Sequence, residues 1–278
     1  MEQKKYHIEP NTVQETLVIP LYGKKRCSEQ YPQFFRDESA IALVEKIDYD
    51  WSRYQDNVMT RFGMVETGMR VKDLAWEIKD YVKSHPRALV VNLGCGLDDM
   101  FPRVDNGQIR CYNLDLPDVI AIRNELMPPR EREINLAVDL NDPQWVEQLD
   151  FKPEDGAVFF ASGVFYYFEI PKMHALLVNM EQAFPGARVC FDIGNLKALK
   201  LMLKTYIKGS GMEIGGYFYL EHPQSLEKWL PRSKISEKGY MTGYEPLDKS
   251  MPWLFRFMGK FGDKSYNLRI IRIEFPKA

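Results

Sequence analysis

Two glycines one residue apart follow a short apolar run and precede two aspartates. The segment runs Asn92-Leu93-Gly94-Cys95-Gly96-Leu97-Asp98-Asp99, and such a glycine pair permits a tight turn and close backbone approach to a ligand. The dinucleotide fingerprint would require a third glycine at position 99, where a pyrophosphate rests on a helix. We expect Asp98 and Asp99 to repel a diphosphate and to tolerate a phosphate-free cofactor with a positive charge, such as S-adenosylmethionine.

Another acidic residue follows at an informative distance. Asp115 lies 21 residues after Gly94, at the end of the next apolar run. An acid about 20 residues after the first glycine commonly accepts hydrogen bonds from ribose hydroxyls. Together these features predict a nucleoside ligand without phosphates. The simpler interpretation is that Gly94 and Gly96 only form a tight turn between a strand and a helix.

The elements that must position these residues alternate along the chain. Continuous apolar runs are typical of strands buried on both faces of a parallel sheet; they occur at 88–93, 109–114, 134–137, 157–161 and 188–193, and an alternating run occupies 267–275. Apolar side chains at helical spacing predict helices within 37–67 and over 70–83, 172–184 and 196–208. Alternating strands and helices predict a doubly wound, mostly parallel α/β sheet with helices on both faces.

No linker divides the chain, and we expect a single domain over 1–278. Its expected parts are an N-terminal helical cap over 1–69, a cofactor-binding α/β core over 70–194, a lid-like insertion over 195–232 and C-terminal strands over 233–278. Lysines 197, 200, 204 and 208 lie along one side of the basic helix and are typical of a solvated face. The glycine-rich stretch 209–216 belongs to the predicted lid.

The composition narrows the function classes. A net charge of −2 is too balanced for a typical nucleic-acid binder and gives no reason to expect a membrane partner. The four cysteines, with no C-x-x-C spacing, predict buried thiols and no metal site. Without an apolar leader or a run of ~18 apolar residues, we expect a cytoplasmic monomer or homodimer that acts on a small molecule.

Several segments, in order, resemble the leucine carboxyl methyltransferase family, which includes tetracenomycin polyketide synthesis O-methyltransferases. The segments are 16–23 (TLVIPLYG), 47–50 (IDYD), 68–71 (GMRV), 91–98 (VNLGCGLD), 115–120 (DLPDVI), 139–140 with Trp145, 163–167 (GVFYY) and 184–186 (FPG). The resemblance covers about residues 14 to 195. It implies the class I methyltransferase fold with a seven-stranded sheet, S-adenosylmethionine as cofactor and S-adenosylhomocysteine as product.

The resemblance also implies roles for single residues. Gly94 and Gly96 would line the methionine part of the cofactor, Arg70 would pair with its carboxylate, Asp115 would hold the ribose, and Asp139 with Leu140 would bracket the adenine. The full expected set is Arg70, Gly94, Cys95, Gly96, Asp115, Leu116, Asp139, Leu140 and Ser162. The alternative for Arg70 is a solvated residue at a helix start, and for Asp139 a helix N-cap.

Two positions leave the chemistry open. Ser162 stands where the family usually has a glutamate, which removes a negative charge from beside a sulfonium. No general base is evident: Tyr166 and Tyr167, at the end of the fourth strand, are candidate orienting groups or aromatic packing, and His174 is expected at the surface.

The expected function is O-methyl transfer to a carboxylate or hydroxyl of a small, polyketide-like molecule. One alternative is a non-catalytic or weakly active homologue that binds S-adenosylmethionine, for which Ser162 is the best argument. Another is an NAD-binding oxidoreductase, which the missing third glycine disfavours. A nucleic-acid methyltransferase is disfavoured by Ser162-Gly163-Val164 in place of an Asn-Pro-Pro-type motif.

Overall fold

A seven-stranded sheet with helices on both faces forms the body of the protein. The structure is a computed structural model that describes residues 5–9, 15–54, 56–206, 216–245, 247 and 251–277. The strands are β1 (Tyr6–His7), β2 (Ile47–Asp48), β3 (Leu89–Leu93), β4 (Arg110–Asp115), β5 (Glu133–Ala137), β6 (Ala157–Ala161), β7 (Arg188–Ile193), β8 (Lys234–Gly239) and β9 (Arg269–Glu274). The helices are α1 (Glu15–Gln30), α2 (Glu38–Lys46), α3 (Val58–Ser84), α4 (Phe101–Val104), α5 (Pro117–Leu126), α6 (Ile170–Ala183), α7 (Leu196–Tyr206) and α8 (Trp253–Ser265). Short 3-10 helices cover Trp51–Arg53, Pro143–Gln148, Phe165–Tyr167 and Pro223–Lys228.

The strand order in the sheet is β5-β4-β3-β6-β7-β9-β8. The five strands from β5 to β7 are parallel, and β9 runs antiparallel to both β7 and β8. The chain winds outward from β3 through β4 to β5 and then returns to place β6 on the other side of β3. In an open α/β sheet, ligands bind outside the carboxyl ends of the strands at such a reversal. The doubly wound, mostly parallel seven-stranded fold is therefore confirmed.

Side chains of the central strands alternate between two cores. Val90 packs in the layer that contains α3 and α4, whereas Val91 packs in the layer that contains α6. All five residues of β3 are buried, because both faces of a parallel sheet are covered by helices. This explains why the strand is a continuous apolar run rather than an alternating one.

The predicted helical cap contains α1, α2 and the first part of α3, with a small parallel sheet of β1 and β2 that the sequence did not predict. Helix α3 begins at Val58, earlier than the predicted start at 70, after Asn57 accepts a hydrogen bond from the Thr60 amide as N-cap. It ends at Ser84, as predicted, because the residue before Pro86 leaves helical geometry.

The C-terminal third departs from the expected pattern. Helix α7 lies within the predicted basic helix 196–208, but residues 207–215, with most of the glycine-rich stretch, lie outside the described part of the chain. The block 233–278, predicted to hold strands, also contains α8. Across the ranges that the structure describes, no helix is long and apolar enough to cross a bilayer.

Candidate cofactor site

A cavity of about 190 Å³ opens at the carboxyl ends of β3, β4 and β6. Three groups of residues meet there: the loop after β3, the ends of β4 and β6, and side chains from α1 and α3. The cavity is lined by Thr16, Leu17, Pro20, Leu21, Lys24, Thr67, Arg70, Val71, Asn92, Gly94, Cys95, Gly96, Leu97, Asp98, Asp115, Leu116, Val119, Ser162, Gly163, Val164 and Tyr167. Seven of the nine predicted cofactor-binding residues are therefore brought together, at the switch point of the sheet.

The loop after β3 makes the sharp turn that its glycines predict. Gly94 and Gly96 both have positive φ, at 66° and 47°, a region that residues with a side chain rarely adopt. A Cβ at Gly94 would lie 2.6 Å from a methyl group of Val164, so the loop also passes too close to the segment after β6 for any side chain. The Arg123 guanidinium of α5 holds the loop by donating to the carbonyls of Gly96 (2.9 Å) and Asp98 (2.8 Å).

Asp115 faces the cavity from the end of β4. Its Oδ2 accepts from the Gly96 amide and its Oδ1 from the Leu116 amide, both at 2.8 Å. Burial raises the pKa of this carboxyl, although the two amide hydrogen bonds act in the opposite direction. Each oxygen uses one of its two lone-pair directions for these amides, so the carboxylate can still accept from a bound ligand.

Arg70 lies at the cavity against a buried partner. Its Nη1 donates to Oδ2 of Asp192 at 3.2 Å, and the arginine side chain is 17% exposed while that of Asp192 is fully buried. Burial acts to lower the pKa of the guanidinium, but Asp192 and the acidic groups of Tyr166, Tyr240 and Glu66 together outweigh it and leave the pKa raised. Its Nε is buried and has no hydrogen-bond partner among the described residues. The solvated alternative for Arg70 is wrong, since an ion pair within the fold holds the side chain.

The expectation that the charges of Asp98 and Asp99 together repel a diphosphate loses its basis, because both carboxylates are paired. Asp98 lines the cavity but accepts from Lys24 Nζ at 2.7 Å. Asp99 points away from it, where both of its oxygens accept from Arg130 at 2.8 and 2.7 Å. Burial acts to raise the pKa of Asp99, but the hydrogen bonds from Arg130 and Ser39 lower it. Both charges are compensated by basic side chains that lie far away in the sequence.

The other predicted lining residues differ in what they offer. The Cys95 thiol is buried, and burial raises its pKa to about 12, so it acts as packing rather than as a nucleophile. Leu116 is 43% exposed at the rim. Ser162, directly after β6, supplies a hydroxyl to the cavity wall.

Asp139 and Leu140 lie beyond the cavity wall. They follow β5, beside Asp115, whose carbonyl accepts from the Val138 amide at 2.9 Å. The exposed Asp139 carboxylate accepts from the Asn141 amide at 2.9 Å, while Leu140 packs in the core. The 3-10 helix at 143–148 is capped by Asp142, so the N-cap alternative for Asp139 is wrong. Adenine contact by Asp139 and Leu140 remains a prediction.

The two adjacent tyrosines point to different places. Tyr167 lines the cavity and is 41% exposed. Tyr166 is turned inward and donates its hydroxyl to Asp192, and burial raises its pKa well above the usual range. His174 is exposed and packs on Trp229 at 5.0 Å between ring centroids, as expected of a surface residue.

Sequence reasoning missed Lys24 and Asp192. Lys24 is nearly buried, with 4% of its side chain exposed, although its helix shows no charge pattern that would mark it. Asp192 accepts from the Gly163 amide at 2.6 Å as well as from Arg70. Its signal was present in the sequence as an acidic residue within the otherwise apolar run 189–193, because a buried carboxylate must have partners.

Comparison with known proteins shows which family the chain belongs to. The family model described as leucine carboxyl methyltransferase matches residues 24–181, more than half of the chain. The chain belongs to the leucine carboxyl methyltransferase family. It is an S-adenosylmethionine-dependent methyltransferase, and the matched segment contains the glycine loop, Arg70, Asp115 and Ser162.

Relatives of this methyltransferase cover its whole length. It is 26% identical over 269 residues to the tetracenomycin polyketide synthesis O-methyltransferase TcmP of Streptomyces glaucescens, with 95% of this chain and 97% of the relative aligned. A crystal structure from Thermobifida fusca assigned to the methyltransferases covers 100% of the chain, with 97% of its own length aligned, at TM-score 0.62 and 13% identity. The plantazolicin methyltransferase BamL, solved with S-adenosylhomocysteine, covers 96%, with all of its own chain aligned, at TM-score 0.51 and 12% identity. At these identities the two structures show the fold alone.

Proposed function

We propose that this methyltransferase transfers a methyl group to an oxygen atom of a small molecule, with the cofactor bound in the cavity at the switch point. The observation that carries the proposal is the convergence of the glycine loop, Arg70 and Asp115 on that cavity. Oxygen as the acceptor atom and a small molecule as the acceptor are supported by the full-length match to TcmP, whose name describes an O-methyltransferase of polyketide synthesis.

The donor and acceptor atoms of the cavity fit S-adenosylmethionine. The buried Arg70 Nε and the Asp98 Oδ2 have no hydrogen-bond partner among the described residues, and a buried polar group without a partner costs free energy. Arg70 would hold the cofactor carboxylate, Asp115 the ribose hydroxyls, and Gly94 and Gly96 would give the methionine part access to the backbone. When bound, the cofactor supplies a methyl group already activated on a sulfonium.

The lining of the cavity favours an acceptor that is already anionic. Of the described residues that line it, none is histidine, and the two carboxylates are engaged: Asp98 by Lys24, and Asp115 by two backbone amides. Burial raises the pKa of Tyr167, so this phenol stays protonated at neutral pH and is not available as a base. Without a general base, the nucleophile must carry its own charge at neutral pH. We therefore propose a carboxylate acceptor and a methyl ester product.

Alignment would then be the main contribution of the protein. Holding two reactants in line can supply roughly 7–11 kcal/mol of the barrier. Tyr167, at the rim beside Ser162 and Gly163, is placed to orient an acceptor by hydrogen bonding. Enclosure of both reactants in the cavity would exclude bulk water from the reacting oxygen.

Calorimetric titration with S-adenosylhomocysteine tests the cofactor site. Asp115→Asn retains an oxygen for the Gly96 amide but loses part of the capacity to accept from a ribose. We expect its affinity to fall at least tenfold. The matched control is Asp118→Asn, an exposed carboxylate in the first turn of α5, which should bind as the wild type does. Equal affinity of Asp115→Asn and wild type would overturn the assignment of the ribose site.

The acceptor chemistry has a separate test. The protein is incubated with cofactor labelled in the methyl group and with paired aromatic compounds that carry either a carboxylate or a phenol. A methyl ester releases labelled methanol in alkali, whereas a methyl ether does not. We expect label only in the alkali-sensitive fraction and only with the carboxylates. Alkali-stable product from the phenols would refute the carboxylate proposal while leaving the cofactor site intact.

A further inference from the structure

Helix α8 carries three exposed aromatic side chains on one face. Trp253, Phe257 and Phe261 are 71%, 61% and 51% exposed, and their spacing of four residues stacks them along one side of the helix. The opposite side is anchored in the core by Phe255, which packs edge-on against Tyr31 and Phe62. The helix is thus held firmly while its aromatic face, defined by residues 253, 257 and 261, points outward.

Basic side chains share this face. Arg256, Lys260 and Lys264 each follow one of the aromatic residues by three positions, which places them on the same side of the helix. All three are exposed. The acidic residue of α8, Asp263, is buried, where it accepts from the Met241 amide at 3.1 Å and from the Thr242 hydroxyl. The face therefore presents aromatic rings and positive charge together, although the whole chain carries a net −2.

Helix α8 lies near the edge of the sheet that holds the cofactor cavity. Helix α8 leads into β9, whose first residue Arg269 pairs with Ile193 at the carboxyl end of β7. Its first turn contacts Phe62, two turns before Arg70 on α3. The start of α3 adds Val58 and Met59, 51% and 61% exposed, to the apolar surface near this end.

We propose that the α8 aromatic face docks the protein on a lipid bilayer that contains anionic lipids. Exposed aromatic rings interleaved with lysine and arginine are the pattern of helices that lie in a bilayer interface, with the rings among the acyl chains and the cations at the headgroups. A second copy of the chain is a poorer fit, because a two-fold contact through this face would set its cations against one another.

Vesicle co-sedimentation of the full chain tests this proposal. Phosphatidylcholine vesicles with one third phosphatidylserine should bind the wild type, and pure phosphatidylcholine vesicles should bind it far less. Lys260→Glu with Lys264→Glu should weaken binding to the mixed vesicles at least tenfold, given about fivefold for each basic residue at an anionic surface. Phe257→Ser with Phe261→Ser should weaken it similarly. High salt should reduce binding of the wild type.

The matched control reverses two exposed lysines on another helix, Lys79→Glu with Lys83→Glu on α3, and should bind mixed vesicles nearly as the wild type does. Affinity for S-adenosylhomocysteine should be unchanged in every variant, which verifies folding. Failure of the wild type to bind mixed vesicles, or equal binding by the α8 variants, would overturn the proposal. A lipid-free dimer that the α8 variants abolish would assign the face to a second copy instead, and would also overturn it.

Discussion

Replacing Asp192 by asparagine tests the buried ion pair that holds Arg70 at the cavity. The Asp192 carboxylate is fully buried and accepts from Arg70, from the Gly163 amide and from Tyr166. Asparagine retains one oxygen for the Gly163 amide but turns an NH₂ group toward the guanidinium, which leaves a buried charge unpaired. Breaking a buried pair in this way costs about 3–5 kcal/mol.

Calorimetric melting gives the readout. At ~2–4 °C per kcal/mol for a domain of this size, the unfolding midpoint should fall by about 6–20 °C. The affinity for S-adenosylhomocysteine should also fall, because Arg70 is no longer held in place. Asp56→Asn is the control: this carboxylate pairs with Arg61 at 2.7 Å, but both side chains are nearly half exposed, so its unfolding midpoint should stay close to that of the wild type.

A double-mutant cycle separates the pair from the other contacts of Asp192. Arg70→Met, Asp192→Asn and the double variant should give a coupling energy of roughly 2 kcal/mol or more, within the range found for contacting residues. A coupling energy near zero, or a melting midpoint of Asp192→Asn within one degree of the wild type, would show that the pair does not hold Arg70.

Three further predictions follow from the same geometry. Gly94→Ala should destabilise the fold to chemical denaturation by clearly more than Gly107→Ala, because both have positive φ but a Cβ meets Val164 only at Gly94. Asp73→Asn should be more stable than the wild type at pH 8, because burial raises the pKa of Asp73 to about 9. The free energy of unfolding of the wild type should therefore fall by up to ~1.4 kcal/mol per pH unit between the pKa of the unfolded chain, near 4, and pH 9. Parallel pH profiles of the free energy of unfolding for the two proteins would contradict this. Ser162→Glu should tighten binding of S-adenosylmethionine by about tenfold, or ~1.4 kcal/mol, but not that of neutral S-adenosylhomocysteine; an equal gain for both would refute the charge argument.

The central strands of the sheet were predictable because both of their faces are buried. Runs such as 157–161 are buried on both faces, so hydrophobicity alone marks them. Helix α8 was missed although its apolar and charged residues follow a clear helical period, so the failure lies in assigning the block 233–278 to strands and not in the sequence signal. The cap sheet of β1 and β2 has two residues in each strand, too few for any periodicity.

The sequence predicted those parts of the candidate site that depend on local backbone conformation. It did not predict those that depend on partners far away in the sequence. Gly94, Gly96 and Asp115 follow from turn geometry and spacing, which are local properties of the sequence. The compensation of Asp98 by Lys24 joins residues 74 positions apart, and that of Asp99 by Arg130 joins residues 31 apart. The expectation of a phosphate-free nucleoside thus rested on a charge argument that the fold removes, and the family match supports it instead.

The charges around the cavity bear on how it would hold a sulfonium with Ser162 in its wall. Of the four charged residues that line it, Lys24 is paired with Asp98 and Arg70 with Asp192, which lies behind the wall. Asp115 is hydrogen-bonded to amides and has no salt-bridge partner within the described residues, and the buried Arg123 guanidinium acts on it through its charge. S-adenosylmethionine carries a net charge of +1, and its demethylated product carries none. In the proposed binding mode the Asp115 carboxylate would favour the reactant over the product by Coulomb attraction, and a second carboxylate at position 162 would strengthen that preference.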